Sequence, residues 1–393
     1  VTTTSSTAGR RRARRPIRLN PRAFLLVIPL LLFGVPWWTL VLGGQDWPAP
    51  GVVVGTGLFA AAYLAQPLLM TLGHRRDGSD AAARTGDTLL GVAWVLFVWS
   101  LIGQLGEGVL ALAGVADPAR SRITAVAVLI VVAVLLVYGA VAALRVPRVV
   151  EREVRLDRLG PGLDGLRIAV LTDTHYGPID RSRWSERVVA RVNDLHADLV
   201  VHAGDLADGS VARRRAQVDH LGDVRAEYGR YYITGNHEYY SGAADWVEHM
   251  RGLGWGVLIN SHHVVERGGD RLVLAGIDDP SGVGHTLGNG PDVRRAVAGA
   301  DPDLPVVLLA HQPGQVDQSV EAGVDLQISG HTHGGQIWPF HYLVLTDQPA
   351  LAGLSRHGDR TQLYTSRGAG FWGPPLRIFA PSEITVLTLR SGA

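Results

Sequence analysis

The sequence predicts two joined folds, an N-terminal bundle of four transmembrane helices and a C-terminal soluble domain of the α/β class. Three observations carry that prediction. Four long apolar stretches follow one another at 24–44, 51–73, 88–113 and 123–144. Charge and histidine are unevenly shared: residues 1–150 hold 14 Arg against 6 acids, residues 151–393 hold 23 Arg against 30 acids, and 14 of the 15 histidines lie in the second part. Beyond residue 149, short β-rich runs alternate with helical patterns. The net charge of +1 over 393 residues conceals this division.

The first 22 residues form a basic tail with a Ser/Thr-rich start, expected to be disordered. The transmembrane domain is expected over 23–145. Each apolar run has about 20 residues or more, and a helix rising ~1.5 Å per residue then crosses a ~30 Å hydrocarbon core. Pro29 and Pro36 fall in the first run, where membrane helices tolerate proline better than soluble ones. Gln104 and Glu107 mark the third run as the most polar; Glu107 is expected near an interface where that run ends. Arginine counts set the orientation. The tail has Arg10, Arg11, Arg12, Arg14, Arg15, Arg18 and Arg22, the 45–50 loop has none, and the 74–87 loop has Arg75, Arg76 and Arg84. The loop at 114–122 has Arg120 and Arg122, and five arginines follow the fourth run by residue 158. With four spans, this pattern makes a multi-pass protein of the cell membrane with the C-terminal half in the cytoplasm; with three spans that half would lie outside.

The soluble domain is expected from residue 149 to residue 393. Strands are predicted at 166–171, 198–202, 230–233, 272–275, 306–309, 326–328, 362–365 and 384–389. Helices are predicted at 183–195, 211–227 and 243–253. The chain has no cysteine, which excludes disulfides, thiolate catalysis and iron–sulfur clusters, and no lysine, which excludes a Walker-type P-loop and Schiff-base chemistry. The acidic balance of the second half argues against a nucleic-acid partner.

Polar residues cluster just after the predicted strands, the edge where layered α/β folds bind ligands. In chain order they are Asp173-Thr-His175, Gly204-Asp205, Gly235-Asn236-His237-Glu238, His311, and Gly330-His331-Thr332-His333-Gly334-Gly335. Glycines at these turns allow positive φ and leave room near a ligand. Residues two apart in an extended segment point the same way, so Asp173 and His175 can grip one ion, as can His331 and His333. Seven such ligands exceed the need of one metal. Carboxylate with imidazole suits Mn, Fe, Zn or Co. Two ions about 3.5–4 Å apart need a bridging anion, and Asp205 is the candidate.

These blocks, in this order, resemble the calcineurin-like metallophosphoesterase superfamily. The longer strings Ala275-Gly-Ile-Asp-Asp-Pro280, Gly330-His-Thr-His-Gly-Gly-Gln336, Ser366-Arg-Gly-Ala-Gly370 and Pro381-Ser-Glu-Ile384 look like its bacterial membrane-associated, phosphodiesterase-like branch. The resemblance covers roughly residues 150–393. It implies a β-sandwich flanked by helices, and two divalent transition-metal ions. One ion would be held by Asp173, His175, Asp205 and His333, the other by Asp205, Asn236, His311 and His331. It implies in-line attack on phosphorus by a metal-bridging hydroxide. His237 would be the catalytic residue, over the phosphate, and Glu238 a supporting one.

Arg367 and His285 are candidate substrate-binding residues, Arg367 with a structural salt bridge as its alternative. His202 is expected to be packed and hydrogen-bonded. His262 and His263 fall in a turn-like stretch. The resulting reading is a membrane-anchored metal-dependent hydrolase of phosphoesters, with phosphodiesters favoured by the resemblance alone. A lipid or other membrane-borne phosphoester suits a site tethered beside a bilayer, and soluble cyclic nucleotides stay open. The alternative is a membrane sensor or scaffold whose phosphoesterase domain binds metal with little turnover. Oligomeric state is not legible.

Overall fold

The computed structural model of the chain describes residues 21–75 and 78–392. The basic tail therefore lies, but for its last two residues, outside the described residues, as does Arg76. Four helices come first: α1 (Pro21–Trp37), α2 (Ala49–His74), α3 (Asp80–Leu112) and α4 (Ala119–Leu144). The last three are long and apolar enough to cross a membrane; the first apolar run gives a shorter helix. Pro29 and Pro36 lie inside α1, which passes into a π-helical turn at Trp38–Leu42. Proline lacks an N–H and crowds the carbonyl one turn back, so the helix ladder loosens at such points.

Helix α3 begins eight residues before the predicted third span. Its 33 residues make a rod of about 50 Å, longer than a ~30 Å hydrocarbon core requires. The surplus is its N-terminal part, which carries Asp80, Arg84 and Asp87. Ser79 caps it by accepting from the N–H of Ala82 at 3.3 Å. Glu107 accepts from Ser121 Oγ at 2.8 Å and lies 3.5 Å from Arg120, so its charge is paired where α3 nears its end.

Twelve strands follow: β1 (Arg148–Leu156), β2 (Arg167–Leu171), β3 (Leu199–Ala203), β4 (Arg230–Ile233), β5 (Gly256–Val257), β6 (Ser261–Arg267), β7 (Asp270–Gly276), β8 (Val306–Leu309), β9 (Leu326–Ser329), β10 (Gly353–His357), β11 (Thr361–Thr365) and β12 (Glu383–Ser391). They form two mixed six-stranded sheets, ordered β1-β12-β2-β3-β4-β5 and β10-β11-β9-β8-β7-β6. The middle of each is parallel, β2 to β5 in one and β7, β8, β9 and β11 in the other.

Alternate residues of these strands divide between two cores. Ile168, Val170 and Val201 face Leu274, Leu309 and Ile328 of the other sheet in one buried cluster. Ala169, Leu171 and Val200 instead pack under α5 (Ser182–Asn193), α6 (Val211–Val218) and, beyond the short α7 (Asn236–Ser241), α8 (Ala243–Gly252), or their flanking loops. The second sheet is covered outside by α9 (Val293–Ala296) and, at one end, α10 (Val316–Glu321). Strands buried on both faces read as continuous apolar runs, which is why the central ones were predictable.

The peripheral strands were not predicted. β1 has five charged residues in nine, and β6 holds His262 and His263 in a strand, not a turn. Both are edge strands, where polar side chains are tolerated. The predicted helix at 211–227 is only α6, followed by a 3-10 turn at Asp219–Asp223. Short polar Asp side chains and Gly222 favour the tighter turn there.

Among the contacts that join the helices to the sandwich, one is apolar and one is charged. Val95, Val128, Val132 and Leu135 bury Ile337, Leu376 and Ile378. Asp80, in the first turn of α3, receives both arms of Arg214 at 2.9 and 2.6 Å, with Arg213 beside it. Arg214 is buried, so Asp80→Asn strands its charge; Asp80's partial exposure limits the loss to about 1–2 kcal/mol. The thermal midpoint of the full chain in detergent is expected to fall by a few degrees, and an unchanged midpoint would show that the pair contributes nothing.

Candidate metal centre

The predicted ligands all meet at the carboxyl ends of central strands. β2 runs into Asp173 and His175, β3 into Asp205, β4 into Asn236 and His237, β8 into His311, and β9 into His331 and His333. Five of these adopt left-handed backbone conformations: Asp173 (φ 52°), His175 (φ 43°), Asp205 (φ 54°), His331 (φ 69°) and His333 (φ 52°). That conformation is costly for residues with a Cβ, and such strain concentrates at functional sites. Glycines make the approach possible. A Cβ on Gly330 would lie 2.3 Å from Asp173 Oδ2, and one on Gly235 would lie 2.3 Å from Asp205 Oδ1.

The side chains form adjoining groups. Asp173, His175 and His333 make one, Asp205, His311 and His331 another, and His175, Asp208 and His237 a third. Asp205 Oδ2 lies 3.1 Å from His311 Nε2 and 3.6 Å from His175 Nε2, which places it between the first two groups. Asn236 Oδ1 is 3.1 Å from His331 Nδ1, and His175 Nε2 is 3.0 Å from His333 Nε2. His175 Nδ1 faces Asp208 at 3.1 Å and His311 Nδ1 faces the Ala203 carbonyl at 2.8 Å. Both partners accept, so both Nδ1 atoms carry protons and each Nε2 points inward.

Two atoms test whether this set fits a metal. Asp173 Oδ2 and His311 Nε2 are buried without a hydrogen-bond partner, His311 Nε2 lying off the hydrogen-bond direction to Asp205. Buried orphans of this kind are expensive unless something absent from the chain satisfies them. Carboxylate, imidazole and amide oxygen suit a divalent transition ion. Charge points the same way. Burial pushes the Asp173 carboxyl up. Burial also works against the His311 imidazolium, yet Asp205 holds it well above its usual range. A bound cation would replace that proton and relieve both groups.

The sequence reading overlooked three residues. Asp208 accepts from His237 Nδ1 at 2.6 Å as well as from His175. Burial opposes the His237 imidazolium, but Asp205 and Asp208 outweigh it and raise the group to about 9. Asp208 stands three residues beyond Asp205 in the same loop, and that spacing was the available signal. Arg377 is fully buried, and burial lowers it to about 10. It donates to the carbonyls of His333 at 2.9 Å and Ala380 at 3.1 Å. Arg181 donates to the carbonyls of Thr174 and His175. It stacks between Trp184 and Phe371 at 4.5 and 4.6 Å. An arginine between Leu376 and Ile378 was the only trace of Arg377 in the sequence.

Other candidates take supporting places. Glu238 accepts from the N–H groups of Leu206 and Gly235, at 2.6 Å each, and of Asp205 at 3.1 Å; it fixes the loop that carries Asp205. His202 is buried within β3 and bonded to Thr174 Oγ1 at 3.1 Å; burial lowers it to about 3, so it is neutral. Arg367 pairs with buried Glu383 at 3.1 Å, and exposed His285 packs on Tyr239 at 5.0 Å. Neither is among the described residues that line the cavity over the centre. That cavity has a volume of about 930 Å³. His175, Asp205, Asp208, Asn236, His237, His331 and His333 open onto it, and residues of α2 and α3 form its opposite wall.

Comparison with known proteins places this geometry. The family model for the calcineurin-like phosphoesterase matches residues 166–335. A zebrafish (Danio rerio) protein named transmembrane protein with metallophosphoesterase domain is 39% identical over 75% of this chain and 70% of its own length. The cattle (Bos taurus) protein of the same name is 36% identical over 66% of this chain and 61% of its own. An uncharacterized metallophosphoesterase of Campylobacter jejuni is 33% identical over 85% of this chain and 88% of its own.

The Asp208 contacts give a pH prediction for the metal-free protein. His237 is raised above its ordinary value, so its imidazolium stabilises the fold fully below about 6.5. That contribution is lost as pH rises through about 9. Asp208→Asn is expected to bring the His237 midpoint down by about one unit or more. Histidine resonances followed by NMR would check this, and an unmoved midpoint would remove Asp208 from the account.

Proposed function

This chain belongs to the calcineurin-like phosphoesterase family, and from that premise we infer that it is a membrane-anchored hydrolase of phosphoesters, with phosphodiesters preferred. The observation that carries this reading is the pair of adjoining donor groups, Asp173 with His175 and His333 and Asp205 with His311 and His331, each holding a buried atom without a hydrogen-bond partner. Members of the family use two divalent metals. In this chain Asp173, His175, Asp205 and His333 would hold one ion, and Asp205, Asn236, His311 and His331 the other. Mn, Fe and Zn all suit these donors. When bound, two such ions supply the positive charge that draws a phosphoryl group and the acidity that yields hydroxide from water near neutral pH.

The chain's own residues handle the proton. His237 Nδ1 is held by Asp208, which leaves Nε2 free to face the cavity. As the P–O bond breaks, the leaving oxygen takes the proton from Nε2, and Asp205 and Asp208 stabilise the imidazolium until then. Arg181 and Arg377 brace the backbone of both His-bearing loops, so the ligands keep their places as charge shifts. Membrane anchoring is supported by three helices of crossing length and by relatives named as transmembrane proteins. With four spans, the arginine-rich connections at 74–87 and after residue 144 favour the cytoplasmic side for the catalytic half.

Two measurements test the reading. The full chain in detergent, supplied with Mn²⁺, is expected to cleave a chromogenic phosphodiester faster than its monoester counterpart. Asp205→Asn should lower turnover roughly 100-fold or more and reduce the bound metal; undiminished activity in the variant would sink the proposal. A reporter fused after Ala393 is expected to be active in the cytoplasm, and activity on the other side of the membrane would reverse the topology.

A further inference from the structure

The cavity over the centre is built by both halves of the chain, and its chemistry changes along its length. One end is the metal centre. The roof is the hairpin of α2 and α3, clamped to α6 through Asp80 and Arg214. Away from the centre the wall becomes apolar: Leu90 and Trp94 on α3, Phe340 and Leu343 across from them, and Phe371 and Trp372 between. Cavities of about 300–1,000 Å³ hold a drug-sized ligand. This one, at about 930 Å³, has room for a polar headgroup and the start of a chain.

The apolar end meets the bilayer. The apolar run of α3 opens just after Asp87, so Trp94, about 10 Å further along the helix, lies in the outer part of a ~30 Å hydrocarbon core. Phe340 packs edge-on against it at 5.9 Å. Next to Phe340, the short helix α11 (His341–Val344) and its flank leave Tyr342, Leu343 and Leu345 about half exposed or more. A cluster of large apolar side chains in water is unfavourable, and lipid removes the cost. We propose that this cavity binds a lipid phosphoester presented from the side by the bilayer, its phosphate at the metal centre and its acyl chain leaving between Trp94 and Phe340–Leu343.

The proposal rests on the phosphoesterase reading, and its test separates the two. The full chain in lipid nanodiscs is given two phosphodiesters with one headgroup, a short-chain water-soluble form and a long-chain form. The long-chain form is expected to have a kcat/KM at least about 10-fold higher, and Leu343→Asp should erase most of that ratio. In a second arm without metal, the long-chain lipid carries a photoreactive group on its tail. Label is expected on Trp94 and on residues 340–345. Turnover without chain-length preference and without label at those residues would overturn the lipid site and leave the hydrolase intact. Label at those residues without turnover of either ester would keep the site and overturn the hydrolase.

Discussion

Asp205 is a carboxylate with almost no access to water, set between imidazoles at 3.1 and 3.6 Å. Burial works against its charge, and His311 and His237 hold it ionised. The neighbouring architecture can be understood as the means of keeping that charge in place. Glu238 gathers the N–H groups of the loop that bears it. Gly235 is small enough to let the next strand end close over it. His237 donates its own backbone N–H to Asp205 Oδ1 at 2.9 Å. The two sheets then supply the rigidity, since each delivers candidate ligands from the ends of adjacent parallel strands whose side chains are buried on both faces.

Left-handed backbone at Asp173, His175, Asp205, His331 and His333 is the local cost of that convergence. A strand that simply continued would carry the two residues of such a pair ~7 Å apart along one face of the sheet. Left-handed backbone turns the chain back at the strand end, so both residues of a D-x-H or H-x-H pair enter one small space. The neighbouring glycines follow from the same need, because the strands approach too closely for another side chain. Strain of this kind survives only where the surrounding packing over-determines it. Arg377 and Arg181, both buried against loop carbonyls, are part of that packing.

The ligand blocks were legible because they are short, local and follow strongly apolar strands. Asp173, His175, Asp205, Asn236, His311, His331 and His333 were each singled out from sequence position as candidate ligands; the structure brings five of them onto the cavity wall and groups Asp173 and His311 with them. Residues that act across the fold were harder to see. Arg377 reaches the His333 carbonyl over 44 residues of chain, and nothing local foretells such a contact. β1 and β6 hid because edge strands need no apolar pattern. The extent of α3 hid for a related reason. Hydropathy finds what a bilayer can hold, and the first turns of α3 are polar, so the pattern began only where they ended. Arg367 takes the second of the two readings its position allowed, a salt bridge, with Glu383 as partner.

The continuity of α3 has a mechanical consequence. Between Asp80 and Leu112 there is no proline, and the described helix has no break. One end is fastened to α6 and roofs the cavity, while the other two-thirds have the length and hydropathy of a membrane span. A stiff lever of this kind transmits rotation. Any tilt imposed along its apolar length is delivered to the roof, and the height of the roof above Asp205 is tied to the posture of the span.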